Sequence, residues 1–215
     1  MPPIHEPAPM LLQIYRDFVV RGSEAAYRAI EEDAARICAE RSFPHPHLAL
    51  EPLAGPSEVW WLNGFDSEAD RQRVTRDYES DPALVAALQD VGRRKQGLVG
   101  TPLDVLARYR ADLSRGAPWA VAGTRFFTVT VTAQDPKVEG SAFEAPDGTR
   151  FVFRPAHTRR QAERAAAAAG PEALVFAVRP YWGMPAKEWI AADPRFWKPS
   201  PMASRGSRTS ARPTA

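Results

Sequence analysis

Residues 10–20, MLLQIYRDFVV, alternate in character: Leu12 and Ile14 fall on one face of an extended chain, Gln13, Tyr15 and Asp17 on the other. A period of two in a β-branched and aromatic run, starting just after Pro9, predicts a strand. The period then lengthens. Beyond a turn at Arg21-Gly22-Ser23, Tyr27, Ile30, Ala34 and Ile37 recur at three- and four-residue steps, the buried face of a helix that ends before Pro44. HLALEPL and SEVWWLNGF return to strand patterning around the turn AGPS. Ser67, three residues ahead of Asp70, then caps a helix with an acidic first turn. That helix pauses at ESDP, where Asp81 caps a second one and Pro82 takes its first position. Leu84, Leu88 and Val91 share its face, and DVLARYRADL follows as a fourth strand. The order is β-α-β-β-α-β, the ferredoxin-like unit.

The second half repeats the first. VWWLNGFDSEADRQR (59–73) aligns with RFVFRPAHTRRQAER (150–164), setting Trp60 on Phe151, Leu62 on Phe153, Ser67 on Thr158 and Arg73 on Arg164. LLQIYRDFV has its counterpart in FFTVTVTAQ, and DVLARYR in LVFAVRP. The long first helix has none: VEGSAFEAPDGTRFVFRPA runs straight into a hairpin whose turn is built on Asp147-Gly148. Each copy of such a sheet covers apolar surface on the other that neither covers alone. The expected organisation is one repeat over 10–113, a degenerate second repeat over 124–182, an aromatic arm over 183–198 carrying Trp189, Phe196 and Trp197, and a disordered tail over 199–215.

Composition narrows the function classes. A 44% hydrophobic, 25% charged chain of 215 residues has the makeup of a soluble globular protein. Its 28 basic and 26 acidic residues leave a net charge of +2, which implies no nucleic-acid partner. GRRKQG at 92–97 is a helix end suited to the dipole. The single Cys38 excludes an internal disulfide and any multi-cysteine metal site, and its place beside the apolar stripe marks a buried thiol. No apolar run reaches membrane-spanning length, so no membrane partner is expected. MPPIHEPAPM lacks the features of a secretory leader, so the expected location is cytoplasmic.

Three sets of residues could carry chemistry. His45, His47 and Glu51 would share a face if the strand ran through all three, and two histidines with a carboxylate are a ligand set for a redox or hydrolytic metal. Pro44 and Pro46 interrupt that start, and the metal reading ranks last; no metal or other cofactor is expected. The strands also show one polar face, with Gln13, Tyr15 and Asp17 on the first, His47 and Glu51 on the second, Arg108 and Arg110 on the fourth. Such a face is a solvated exterior, a paired barrel interior or a pocket, and the paired interior is the leading expectation. Trp60 and Trp61 point to opposite sides of the sheet, and Asn63, on the side of Trp61, could orient a small oxygenated ligand.

Taken together, the duplicated unit resembles the dimeric α/β-barrel superfamily. VWWLNGFDSEADRQRVTRDYESDPAL is similar to the NIPSNAP-type pattern, in which a Trp-bearing strand leads to a helix with regularly placed arginines and an Asp-Pro step. The resemblance implies an α+β fold: tandem ferredoxin-like repeats forming a pseudo-dimeric α/β barrel. Relatives on this fold include cofactor-free monooxygenases and haem-binding enzymes, with the ligand cavity between sheet and helices. Haem-degrading relatives use a helix histidine, and this chain has none between Ser67 and Gly97. The expected activity is therefore binding of a small apolar or aromatic molecule, with Trp60, Trp61 and Arg108 as ligand-binding residues. The alternative is a cofactor-free monooxygenase or isomerase acting on a phenolic or polycyclic substrate, with Asn63, His47 and Tyr15 as catalytic residues. A homodimer is compatible with either.

Overall fold

The structure is a computed structural model that describes residues 7–43, 45–180 and 182–197. Eight strands close into an antiparallel barrel: β1 (Leu11–Phe18), β2 (Leu48–Pro52), β3 (Glu58–Phe65), β4 (Leu103–Tyr109), β5 (Phe126–Thr132), β6 (Ser141–Glu144), β7 (Arg150–Ala156) and β8 (Ala173–Val178). Among the described residues six helices accompany them: α1 (Glu24–Glu40), α2 (Glu68–Glu79), α3 (Pro82–Arg94), α4 (Arg159–Ala169), α5 (Lys187–Ala192) and α6 (Pro194–Trp197). Around the barrel the order is β1-β3-β2-β8-β5-β7-β6-β4, closing on β1. Each half therefore has the ferredoxin-like order 4-1-3-2, and the halves meet where β2 pairs β8 and β4 pairs β6. The α+β, pseudo-dimeric barrel implied by the resemblance is the fold observed.

Local chemistry sets the element boundaries. The Ser67 hydroxyl accepts from Asp70 N at 3.1 Å. Asp81 Oδ1 accepts from Ala83 N and Leu84 N, with Pro82 in the first turn of α3. Thr158 and Gln161 form a reciprocal capping box at α4, so the aligned Ser67 and Thr158 do the same work in both halves. In the β6–β7 hairpin Gly148 adopts φ +85°, a conformation that favours glycine, and Asp147 Oδ1 accepts from Thr149 N.

Alternation decides what the barrel contains. Leu12 and Ile14, Leu48 and Leu50, Trp60 and Leu62 point inward from the first half; Phe127 and Val129, Phe151 and Phe153, Phe176 and Val178 do so from the second. Trp60 meets Phe151 and Phe153 nearly edge-on and lies 4.9 Å from Phe176, centroid to centroid. Trp119, Trp189 and Trp197 join this cluster, so the aromatic arm packs back on the barrel. The polar face is accordingly not a paired interior. Apart from Ser141 and the Arg16–Glu58 pair, which closes at 2.7 Å with Arg16 over the Trp60 ring, the inward face is apolar, and Gln13, Tyr15 and Asp17 look outward. A closed barrel lined with large rings leaves no room for solvated side chains. The tail beyond residue 198 lies outside the described residues.

Candidate functional site

Outside the barrel, α1 and α3 lie against β1 and β3 and leave a cleft of about 990 Å³. Period-two alternation brings Gln13, Tyr15 and Asp17 of β1 to its floor, opposite Asn63 and Trp61, which pair with Gln13 and Tyr15 in register. The helices contribute Ala34 and Cys38 from α1 and Leu88 and Val91 from α3, which is why Ala34 and Leu88 are only half-buried. Phe43, Tyr78 and Trp182 add aromatic surface. His47 meets Phe43 and Trp61 ring edges at 5.8 Å, and its backbone exchanges hydrogen bonds with Met184.

The floor ends in a buried charge cluster. Asp17 and Glu31 are both nearly inaccessible, and Lys95, at the C-cap of α3, reaches down between them. Its Nζ donates to Asp17 Oδ2 at 3.1 Å and pairs with Glu31 Oε1, while Tyr27 Oη donates to Asp17 Oδ2 at 2.8 Å. Burial raises the Glu31 pKa, the nearby Asp17 charge adding to the rise and Lys95 opposing it. Burial works against the Lys95 charge, but Glu31 and Asp17 more than offset it, and its pKa ends above the ordinary value. Burial and the Asp17 charge push the Tyr15 phenol up to about 12, so it is a donor at neutral pH. Desolvation pushes the His47 imidazole down to about 4, so it is neutral there. The cleft thus offers a neutral imidazole, a protonated phenol and an amide on an aromatic wall.

The structure gathers Tyr15, His47, Trp61 and Asn63 around one cleft. It places Trp60 inside the barrel, because adjacent residues of a strand face opposite ways. Arg108 is exposed on β4, away from the lining, where its charge acts on Glu68. The His45, His47 and Glu51 side chains diverge. The strand begins only at Leu48; His45 stacks on Phe65 at 4.7 Å, and Glu51 binds Arg28 and Arg179. Among the described residues no three His, Cys, Asp or Glu side chains are grouped as a metal would require. Sequence reasoning missed Glu31 and Lys95. The available signal was an acid one step from Ile30 on an otherwise apolar stripe.

An eight-stranded barrel of two ferredoxin-like halves with helices outside defines the dimeric α/β-barrel fold, here within one chain. No protein-family model matches the sequence, and no curated protein is significantly similar to it. Solved structures are similar in fold. A proposed monooxygenase from Fusobacterium nucleatum superposes with a TM-score of 0.52 at 12% identity, over 80% of this chain and 93% of that one. A NIPSNAP family protein of unknown function from Agrobacterium tumefaciens aligns with 49% of this chain and 93% of its own, at 19% identity and a TM-score of 0.37. A proposed monooxygenase from Lactobacillus acidophilus covers 88% of this chain and 89% of that one, at 8% identity and a TM-score of 0.46. At 12% identity the likeness to the Fusobacterium protein is one of fold alone. No helix among the described residues is long and apolar enough to cross a membrane.

Proposed function

We propose that this chain is a small-molecule-binding α/β barrel whose cleft takes a flat, largely apolar aromatic molecule, stacked on Trp61 and oriented by Asn63. The observation that carries the reading is the pairing of an aromatic wall with an uncommitted amide. Trp61, Tyr15, Phe43 and His47 supply ring surface, and the Asn63 side chain makes no hydrogen bond among the described residues. The cleft volume is within the range typical of small-ligand sites, about 300–1,000 Å³. Titration with 2-naphthol, followed by tryptophan fluorescence and by calorimetry, tests it. Saturable binding that weakens roughly tenfold or more in Trp61→Ala is the expected result, since one lost aromatic stacking partner costs on the order of 1–3 kcal/mol. Absence of binding by 2-naphthol and by larger fused-ring phenols refutes it.

A second reading, oxygenation of a phenolic substrate by dioxygen, draws on the convergence of Asn63, Tyr15 and neutral His47, and on the fold shared with the Fusobacterium protein. In it Asn63 holds the substrate oxygen, and His47 or Tyr15 handles a proton once the bound substrate brings its pKa toward the working pH. Oxygen uptake with a fused-ring phenol distinguishes the readings. Unchanged turnover in Asn63→Ala removes that residue from the chemistry.

A further inference from the structure

We propose that the second half of the barrel carries a separate binding site for a medium-chain aliphatic carboxylate. A cavity of about 960 Å³ lies between α4, the end of β7, the 117–124 segment and the α5–α6 junction. It stands apart from the Trp61 cleft and does not rest on the function proposed there. Its walls are mainly alanine and proline, among them Ala120, Ala122, Pro155 and Ala165, and among the described residues no Phe, Tyr or Trp lines it. Such side chains have no rotamers to freeze when an apolar chain lies against them. They also present no ring face for a flat ligand to stack on, so the wall suits a flexible hydrocarbon chain.

The charges around the cavity do not balance. Among the described residues three arginines, Arg154, Arg164 and Arg195, face a single carboxylate, Asp193. Asp193 is already held by Arg125 and by the Phe196 amide, and Arg154 is paired with Glu139 at 2.9 Å. The remaining histidine, His157, is tied through Nδ1 to the Gly123 carbonyl at 2.7 Å. Arg164 and Arg195 have no ion pair among the described residues, which leaves two positive charges beside an apolar chamber. A neutral lipid would leave these guanidiniums in water, and a compact inorganic anion would leave the alanine wall uncovered. An aliphatic carboxylate satisfies both.

Calorimetric titration with octanoate, decanoate and 1-octanol tests the assignment. The two exposed arginines should favour octanoate over the alcohol by roughly three- to twentyfold at low salt. The margin should shrink in 0.5 M sodium chloride, because exposed charges are screened over a few ångströms there. Decanoate should bind tighter than octanoate by roughly fourfold to fifteenfold, from its two extra methylenes. The double variant Arg164→Gln/Arg195→Gln alters only exposed side chains and should abolish the preference for the acid. Ala168→Trp, on the exposed rim of the cavity, should reduce binding of both compounds. The assignment is overturned if octanoate does not bind or binds no better than octanol. It is overturned equally if the preference survives in the double variant, or if Trp61→Ala rather than Ala168→Trp removes binding, which would move the ligand to the cleft.

Discussion

Replacing Lys95 by methionine tests whether the charge cluster under the cleft is a single energetic unit. The substitution keeps most of the apolar stem and removes the ammonium that lies between Asp17 and Glu31. Asp17 retains the Tyr27 hydroxyl, but Glu31 loses its ion-pair partner, and both carboxylates are essentially closed to water. Removing one partner of a buried ion pair costs about 3–5 kcal/mol, since the remaining charge is left uncompensated. For a chain of this size that corresponds to a fall in Tm of about 10 °C. The loss should depend on pH in a defined direction. Glu31 already has a raised pKa in the fold. A carboxyl raised in this way supplies stability below its unfolded pKa and loses it as pH rises through the folded value. Without Lys95 that folded value rises further, so the deficit should be greatest near pH 8 and shrink toward pH 5. Urea unfolding of wild type, Lys95→Met and Lys95→Met/Glu31→Gln across this range provides the measurement, and the double variant should recover part of the loss at pH 8. A loss below about 1 kcal/mol, or one that stays constant as the solution is acidified, would refute the account.

Other consequences are as open to test. Trp60→Ala should lower stability by about 3–5 kcal/mol in urea, through a cavity among Phe151, Phe153 and Phe176, while a pure cleft residue would cost far less. In Gly183→Ala the new Cβ would stand 2.5 Å from the His47 carbonyl oxygen, so the His47–Met184 bridge must shift; a lower Tm together with weaker 2-naphthol binding is expected, and unchanged values for both would contradict the packing. Because desolvation pushes the His47 imidazole down to about 4, affinity for 2-naphthol should be flat from pH 5.5 to 8 and fall only in more acidic solution; a titration centred near 6.5 would show His47 to be solvated. Burial pushes the Cys38 thiol up to about 11, so a thiol reagent should label it slowly from the cleft and much faster once denaturant unfolds the chain.

Much of the fold was legible because it is written in short periods. Alternation in 10–20 and 57–65 separates Trp60 from Trp61, and it also sorts the barrel filling from the cleft wall. Ser67, Asp81 and Thr158 mark their helix starts through local hydrogen bonds that need no tertiary context. The candidate site was legible one strand at a time. Gln13, Tyr15 and Asp17 could be grouped, as could Trp61 and Asn63 by parity, but Lys95 meets Asp17 across 78 residues, a pairing that no local period encodes. The same blindness turned the polar face inward in expectation, since a strand pattern distinguishes two faces without saying which one the barrel encloses. His45, His47 and Glu51 misled for a different reason: spacing by twos implies one face only where the backbone is already extended, and here it extends from Leu48.

The chain between β4 and β5 has a consequence for how such a molecule can change. In a barrel assembled from two identical subunits, every substitution is made twice, and both sides must tolerate it. Fusion removes that constraint. The positions that align with Trp61 and Asn63 are Val152 and Arg154, and no helix stands between β5 and β6 where α1 stands in the first half. Each barrel therefore presents one aromatic cleft instead of a symmetric pair, and the other half is free to acquire alanine walls and unpaired arginines. The two halves can therefore diverge in what their surfaces present, which the subunits of a homodimer can do only by becoming a heterodimer.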